Sequence, residues 1–228
     1  MRYVILDPRA DKKIIYGLEK AGFKVIEADF INDIDPSVAG HPDMQILKVG
    51  EEIIVNPGSE KHYKKAFSGV NFICGKTRVQ GKYPKYIAYN VAMTASAAIH
   101  NFKFTDFEII RAMGGKYTQI NVHQGYSKCS VCTLPDGIIT SDKGIATAVE
   151  KTGIDVLRIS EGEITLFGKE YGFIGGASGY FDGKLYFTGD VTMHSDFEKI
   201  KNFCKNKCIE IVCLSNDKLA DIGSIIVI

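Results

Sequence analysis

The chain lacks any surplus of one charge. Its 228 residues carry 28 Lys and Arg against 27 Asp and Glu, a formal net charge of +1. That excludes a strong sequence-independent pull toward nucleic acid or anionic lipid, so neither is expected as a partner. The lysines at Lys199, Lys201, Lys205 and Lys207 read as the solvated face of a helix. No apolar run approaches the roughly 20 residues of a membrane span. The opening Met1-Arg2-Tyr3-Val4-Ile5-Leu6-Asp7 is too short, and too acidic at its end, to act as a secretory signal. No Pro- or Ser-rich linker divides the sequence, so a single domain over residues 1–228 is expected, cytoplasmic and soluble. The CxxC pair Cys129 and Cys132 has no second CxxC and no suitably spaced His pair beside it. The six cysteines therefore read as thiols, and neither a metal nor a cofactor is expected. His194 and Asp196 could in principle ligate an ion, but Ser195 between them explains the segment as a helix cap.

What the chain has is self-similarity. Leu18-Glu19-Lys20-Ala21-Gly22-Phe23-Lys24-Val25-Ile26 reads like Val149-Glu150-Lys151-Thr152-Gly153-Ile154-Asp155-Val156-Leu157, and Thr105-Asp106-Phe107-Glu108 like Ser195-Asp196-Phe197-Glu198. The offsets, about 131 and about 90 residues, are multiples of roughly 44–45, a period that signals stacked or radially arranged units. With 45% hydrophobic residues, the chain can give each unit a core.

Five units follow, at approximately 8–56, 57–101, 102–141, 142–190 and 191–228 plus 1–7, each running helix, strand, hairpin. The first helix is expected over Ala10 to Ala21, with Ile14, Ile15 and Leu18 inward and Gly22 as its left-handed stop. Thr105 and Ser195 are expected to open helices through capping boxes with Glu108 and Glu198. Phe107, Ile110 and Met113 form the apolar stripe of the third helix. Asp182-Gly183 marks a tight hairpin turn. The fifth hairpin lacks one arm, and the β-rich opening Arg2 to Leu6 can supply it beside Ile225 to Ile228. The result is an α/β fold, a five-bladed β/α-propeller with its fifth blade closed by the N- and C-terminal strands.

A five-unit propeller closed at its termini resembles the pentein superfamily. That fold is shared by the guanidino-group-modifying enzymes (arginine and agmatine deiminases, dimethylarginine hydrolases, amidinotransferases) and by a ribosome anti-association factor. Four segments resemble a clostridial branch of that superfamily: His41-Pro42-Asp43, Gln124-Gly125-Tyr126-Ser127-Lys128-Cys129-Ser130, Phe173-Ile174-Gly175-Gly176-Ala177 and Asp221-Ile222-Gly223-Ser224-Ile225.

The resemblance implies that functional groups sit at the starts of the strands nearest the axis. Those stretches offer His41 and Asp43, Asn90, Gln124 and Lys128, and Asp221 and Ser224 as the lining of a pocket for a small guanidino- or amino-acid-like molecule. Its carboxylates would suit a guanidinium. The glycines from Gly175 to Gly179 read as places of close backbone approach rather than as a phosphate loop, because no helix follows them. The family's catalytic cysteine should lie a few residues after the last glycines, where counting from Gly223 meets Ile226, Val227 and Ile228. Its histidine register falls on Gln124, with His123 one residue away and so on the opposite strand face. The expectation is therefore a ligand-binding member without cysteine-dependent amidine hydrolysis. Two alternatives are a ribosome- or protein-binding factor, and an enzyme with Cys129 as a relocated nucleophile served by His123. On the strand reading, Lys128 and Cys129 point to opposite faces.

Overall fold

The structure, a computed structural model, describes residues 2–67 and 69–228. β1 (Arg2–Leu6) leads through α1 (Lys12–Lys20) to β2 (Phe23–Glu27), which pairs parallel to β1. β3 (Ile46–Val49) and β4 (Glu52–Val55) form a hairpin, α2 (Glu60–Ala66) crosses over, and β5 (Phe72–Cys74) returns parallel to β4. The same order recurs in β6 (Ala92–Met93), β7 (Ala97–His100), α3 (Phe107–Met113) and β8 (Thr118–Asn121). A single helical turn, α4 (Ser127–Ser130), precedes β9 (Val131–Leu134), β10 (Gly137–Thr140), α5 (Lys143–Glu150) and β11 (Asp155–Arg158). β12 (Ser178–Phe181), β13 (Lys184–Phe187), α6 (Phe197–Asn206) and β14 (Glu210–Cys213) complete the series. β15 (Ile226–Val227) then pairs antiparallel with β1, matching Val4 to Val227 and Ile5 to Ile226.

Among the described residues the result is a mixed α/β fold with five three-stranded sheets, four of them a hairpin, a helical crossover and a parallel third strand, and the fifth with an antiparallel pair of terminal strands in place of the hairpin. The sequence units begin on the helix, so each sheet takes its hairpin from one unit and its third strand from the next. The two chain ends meet in one sheet, ordered β15-β1-β2. Reciprocal bonds between Tyr3 and Ile228 (3.4 and 3.0 Å) extend the pairing beyond the strand itself.

Local chemistry explains the elements. Middle strands are buried over three or more consecutive residues, in apolar runs such as Val4-Ile5-Leu6 and Ile53-Ile54-Val55, because neighbouring elements cover both of their faces. Helix α1 buries Ile14 and Leu18 and ends at Gly22, whose φ of +90° only glycine adopts cheaply. Asp182 and Gly183 both have positive φ (50° and 76°), the hairpin turn expected of that pair.

Three local expectations need correction. Asp106 and Asp196, not Thr105 and Ser195, occupy the N-cap positions of α3 and α6. The Thr105 hydroxyl instead meets Nδ1 of His100 at 2.6 Å, and the Ser195 hydroxyl binds Glu163. In α3 the buried apolar residues are Ile109 and Met113, with Ile110 partly buried against the same core, whereas Phe107 is 63% exposed. No helix among the described residues is long and apolar enough to cross a membrane.

Candidate functional site

The segments preceding the first strand of each sheet converge. Asp43 lies in a short turn before β3, Asn90 before β6, Cys129 on α4 before β9, Gly175 and Gly176 before β12, and Ser224 before β15. Hydrogen bonds join them in a closed circuit. The Asn90 amide donates to the Asp43 carbonyl (3.3 Å) and to Cys129 Sγ (3.3 Å), while its oxygen accepts from the Lys128 backbone N–H (2.8 Å). The Gly176 N–H donates to the Cys129 carbonyl (2.8 Å), and the Ser224 N–H to the Gly176 carbonyl (2.9 Å). The Ser224 hydroxyl lies 2.8 Å from Asp43 Oδ2 and 3.0 Å from the Gly175 carbonyl, which returns the circuit to its start.

Two glycines make the approach possible. A Cβ on Gly176 would lie 1.8 Å from Asp221 Oδ1, and one on Gly223 would lie 2.3 Å from the His41 Cβ. Ser224 itself adopts a left-handed φ of 74°, unusual for a residue with a side chain, and its hydroxyl contacts hold it there.

At the centre, Cys129 Sγ donates to Asp43 Oδ2 at 3.1 Å. Burial first, then the charges of Asp43 and Asp221, push this thiol well above its ordinary pKa. A thiolate there is therefore unstable unless a cation stands beside it. Lys128 Nζ reaches Ser224 Oγ at 3.1 Å. The strand reading had placed Lys128 and Cys129 on opposite faces, but both lie on the helical turn α4 and both reach this cluster.

His41 is buried between two carboxylates. Its Nε2 lies 3.9 Å from Asp7 Oδ2 and its Nδ1 lies 3.9 Å from Asp221 Oδ1. Asp7 is gripped by Arg9 through two side-chain bonds of 2.9 and 2.6 Å. Asp221 accepts the Phe173 and Gly223 N–H groups at 3.0 and 3.1 Å. Its pKa is raised by burial, pulled back by His41 and raised again by Asp43. Two buried atoms of the cluster have no hydrogen-bond partner: His41 Nδ1 and Asp43 Oδ1. One ligand atom each from His41, Cys129 and Asp221 lies within 4.8 Å of the others, so these three could hold a metal ion, although no sequence spacing announced it.

Cys129 and Asp221 line a cavity of about 340 Å³. Its walls include Tyr126, Tyr171 and Phe173, and three carboxylates (Asp35, Glu170 and Asp221) face one lysine, Lys169. Asp35 and Lys169 pair across the wall at 2.7 Å. On the other side of the cluster, Asp43 and Lys128 line a second cavity of about 200 Å³.

The structure thus brings together His41, Asp43, Asn90, Lys128, Asp221 and Ser224 with Cys129. Two candidates share no hydrogen bond with this cluster among the described residues. Gln124 lines the larger cavity, but its amide is occupied by Asp142 (3.2 Å) and by the Tyr126 N–H (3.0 Å). His123 is exposed and lines a separate groove with Asp142 and Lys143. His194 and Asp196 bind each other instead: Nδ1 of the ring accepts the Asp196 N–H while its buried Nε2 has no partner, and the carboxylate takes the Ser160 N–H and Lys199. The sequence reading missed Asp7 and Arg9, which act through His41, and the aromatic wall of Tyr126 and Phe173, although both aromatics adjoin segments it singled out.

Comparison with known proteins agrees with this architecture. A family model described as "Family of unknown function (DUF6873)" matches residues 5–226. A dimethylarginine dimethylaminohydrolase, solved as an adduct with S-methyl-L-thiocitrulline, is 8% identical and superposes with a TM-score of 0.57 over 93% of this chain and 92% of its own. An amidinotransferase from Microseira wollei in a saxitoxin biosynthetic pathway is 13% identical, with a TM-score of 0.52 over 93% and 88%. An agmatine deiminase from C. jejuni is 8% identical, with a TM-score of 0.51 over 93% and 87%. All three are pentein superfamily members, and at such identities the likeness establishes the fold. No curated protein matches the sequence.

Proposed function

The chain belongs to the DUF6873 family, a family of unknown function, and we propose that it binds a small cationic guanidino- or amino-acid-like molecule in the larger cavity. We read the five sheets as blades around a common axis, with the converging segments as its plug. The observation that carries the proposal is the cavity lining: Asp221 and Cys129 with the aromatic rings of Tyr126, Tyr171 and Phe173, and three carboxylates to one lysine. A carboxylate whose pKa is raised by burial gains most from a cation, because ion pairing restores its charged form. Tyr126 and Phe173 add faces on which a planar cation can stack. The kinship of fold with enzymes acting on guanidino compounds supports the same chemistry by analogy.

Cysteine-dependent amidine hydrolysis is not part of the proposal. The residues after Gly223 are Ser224, Ile225, Ile226, Val227 and Ile228, without a thiol. Cys129 faces two carboxylates that oppose its ionisation, and His123 is not beside it. Thermal-shift titration with arginine, agmatine, citrulline and methylated arginines, in the presence of EDTA, tests the binding reading. A ligand at 100 times its Kd should add about 2.7 kcal/mol to native stability. If none of these ligands raises Tm, or if Asp221→Asn responds as the parent does, the reading is wrong.

A further inference from the structure

We propose that His41, Cys129 and Asp221 form a binding site for a divalent transition-metal ion of the zinc class, with a fourth position open to the larger cavity. This goes beyond the organic-ligand reading, with which it shares Cys129 and Asp221, and it adds the unpartnered nitrogen of His41.

The donor set comes first. One imidazole nitrogen, one thiol sulfur and one carboxylate oxygen suit zinc, whose borderline softness accepts all three, and do not suit Mg²⁺ or Ca²⁺, which prefer all-oxygen sites. The three atoms lie within 4.8 Å of one another and all three residues are buried. A tetrahedral zinc centre with bonds of about 2.0–2.3 Å needs donor separations of roughly 3.3–3.8 Å, so about an ångström of inward movement assembles it.

The second observation is independent of proximity. His41 is 1% exposed, yet its Nδ1 makes no hydrogen bond and faces Asp221 at 3.9 Å. Buried ring nitrogens are ordinarily partnered, and one left open inside a ligand cluster points to a missing partner. A metal ion also answers the charge problem. Asp43, Asp221 and the Cys129 sulfur are crowded together in the interior, and the Lys128 ammonium is hydrogen-bonded to Ser224. An ion placed between sulfur and carboxylate would take the thiolate form of Cys129, with the displaced proton passing to solvent.

The surroundings resemble a supporting shell. The other ring nitrogen of His41 faces Asp7 at 3.9 Å, and Arg9 fixes that carboxylate. The Asn90 amide donates to the sulfur, and the Phe173 and Gly223 N–H groups orient Asp221. Such partners set ligand direction and tautomer in metal centres. Three protein ligands with a cavity on the open side make a site of the kind that takes water or a small ligand as its fourth donor, rather than a closed structural one.

The test uses Zn²⁺ and Co²⁺ alone on the full chain. Equilibrium dialysis followed by metal analysis should show one tightly held ion per chain. Cobalt loading should give a thiolate-to-cobalt charge-transfer band in the near ultraviolet. Cys129→Ser should abolish that band, and His41→Ala or Asp221→Asn should weaken binding by at least tenfold. A control with Cys208→Ser and Cys213→Ser, the two exposed thiols, should bind as the parent does. If Cys129→Ser does not fold, blocking by metal supplies the second readout: bound Zn²⁺ should protect Cys129 in the intact protein from thiol reagents under conditions that expose it. Less than half an equivalent bound, a band that persists in Cys129→Ser, a band lost with the surface thiols, or no protection would each overturn the proposal.

Discussion

Two buried aspartates in this protein do opposite things. Asp106, at the start of α3, is fully occupied: Oδ2 accepts the Lys76 N–H at 2.8 Å and the Thr77 N–H, and Oδ1 accepts the Glu108 N–H at 2.9 Å. It ties a helix N-terminus to the loop after β5. Asp43, at the centre, accepts only from side chains on one oxygen, Ser224 and Cys129, and its other oxygen has no partner. The residue type and the burial are the same. The difference is that the rim uses its carboxylate to satisfy backbone donors, a job with one geometry, whereas the centre keeps unspent acceptor capacity next to an unpartnered His41 nitrogen.

The comparison predicts its largest effect at the rim. Asp106→Ala strips three backbone N–H groups of their acceptor and removes a helix cap, so it should destabilise the protein by about 3 kcal/mol or more. Urea unfolding measures this directly. A loss below about 1 kcal/mol would mean that those donors find water, and the contrast with the centre would fail.

Acidification should give the next largest effect. His100 is buried beside Thr105, and burial holds its pKa down at about 4, against an ordinary 6.5. The native state therefore takes up this proton less readily than the unfolded chain. Its contribution is complete above pH 6.5 and is lost as the pH falls toward 4, by roughly 3 kcal/mol at 1.4 kcal/mol per pH unit. His100→Gln should flatten the stability profile across that window. His100 also qualifies the comparison, because its Nε2 is a buried atom without a partner outside the central cluster. What distinguishes the centre is that two such atoms, His41 Nδ1 and Asp43 Oδ1, fall within one cluster whose Cys129 and Asp221 line a cavity.

Asp43→Asn should move stability by less than about 1 kcal/mol, or raise it. The amide keeps an oxygen for Ser224 while removing a charge that crowds Asp221 and Cys129. The same isosteric change at Asp106 should cost more, since an amide offers one acceptor where the carboxylate uses two. If the two Asn variants lose equal stability in urea, centre and rim are not different in kind.

Much of the fold could be read from the chain because it is written as repetition. The helix-stopping glycines Gly22 and Gly153, the turn at Asp182-Gly183 and the apolar termini each follow a local rule, and the rules agree with one another. The candidate site was legible as a set of positions, since the openings of the first strands could be counted off unit by unit. Side-chain direction was not legible there. A strand pattern puts Lys128 and Cys129 on opposite faces, whereas the helical turn Ser127–Ser130 brings both to the cluster. The pairing of His41 with Asp7 and Asp221 joins residues far apart in sequence, with no spacing that could reveal it. Gln124 and His123 were placed by register in a segment that is neither strand nor helix, so period-2 reasoning had nothing to act on.

The smallest predicted effect belongs to Ser195 at the second helix start, where the sequence offers two adjacent capping residues. Both Ser195 and Asp196 can accept a backbone N–H, and a capping box with Glu198 favours Ser195 on pattern alone. The structure assigns the buried position to Asp196, which takes the Ser160 N–H and pairs with Lys199 at 2.6 Å; these bonds hold its pKa down to about 2. Ser195 faces outward onto Glu163. Asp196→Ala should therefore cost about 1–2 kcal/mol, and Ser195→Ala no more than about 0.5 kcal/mol. The sign follows from what each change leaves behind: the first strands a backbone donor from the loop after β11, as Asp106→Ala does at its own helix, and the second leaves the half-buried Glu163 carboxylate still holding the residue 195 backbone N–H. Equal costs would return the cap to Ser195 and break the parallel between the two helix starts.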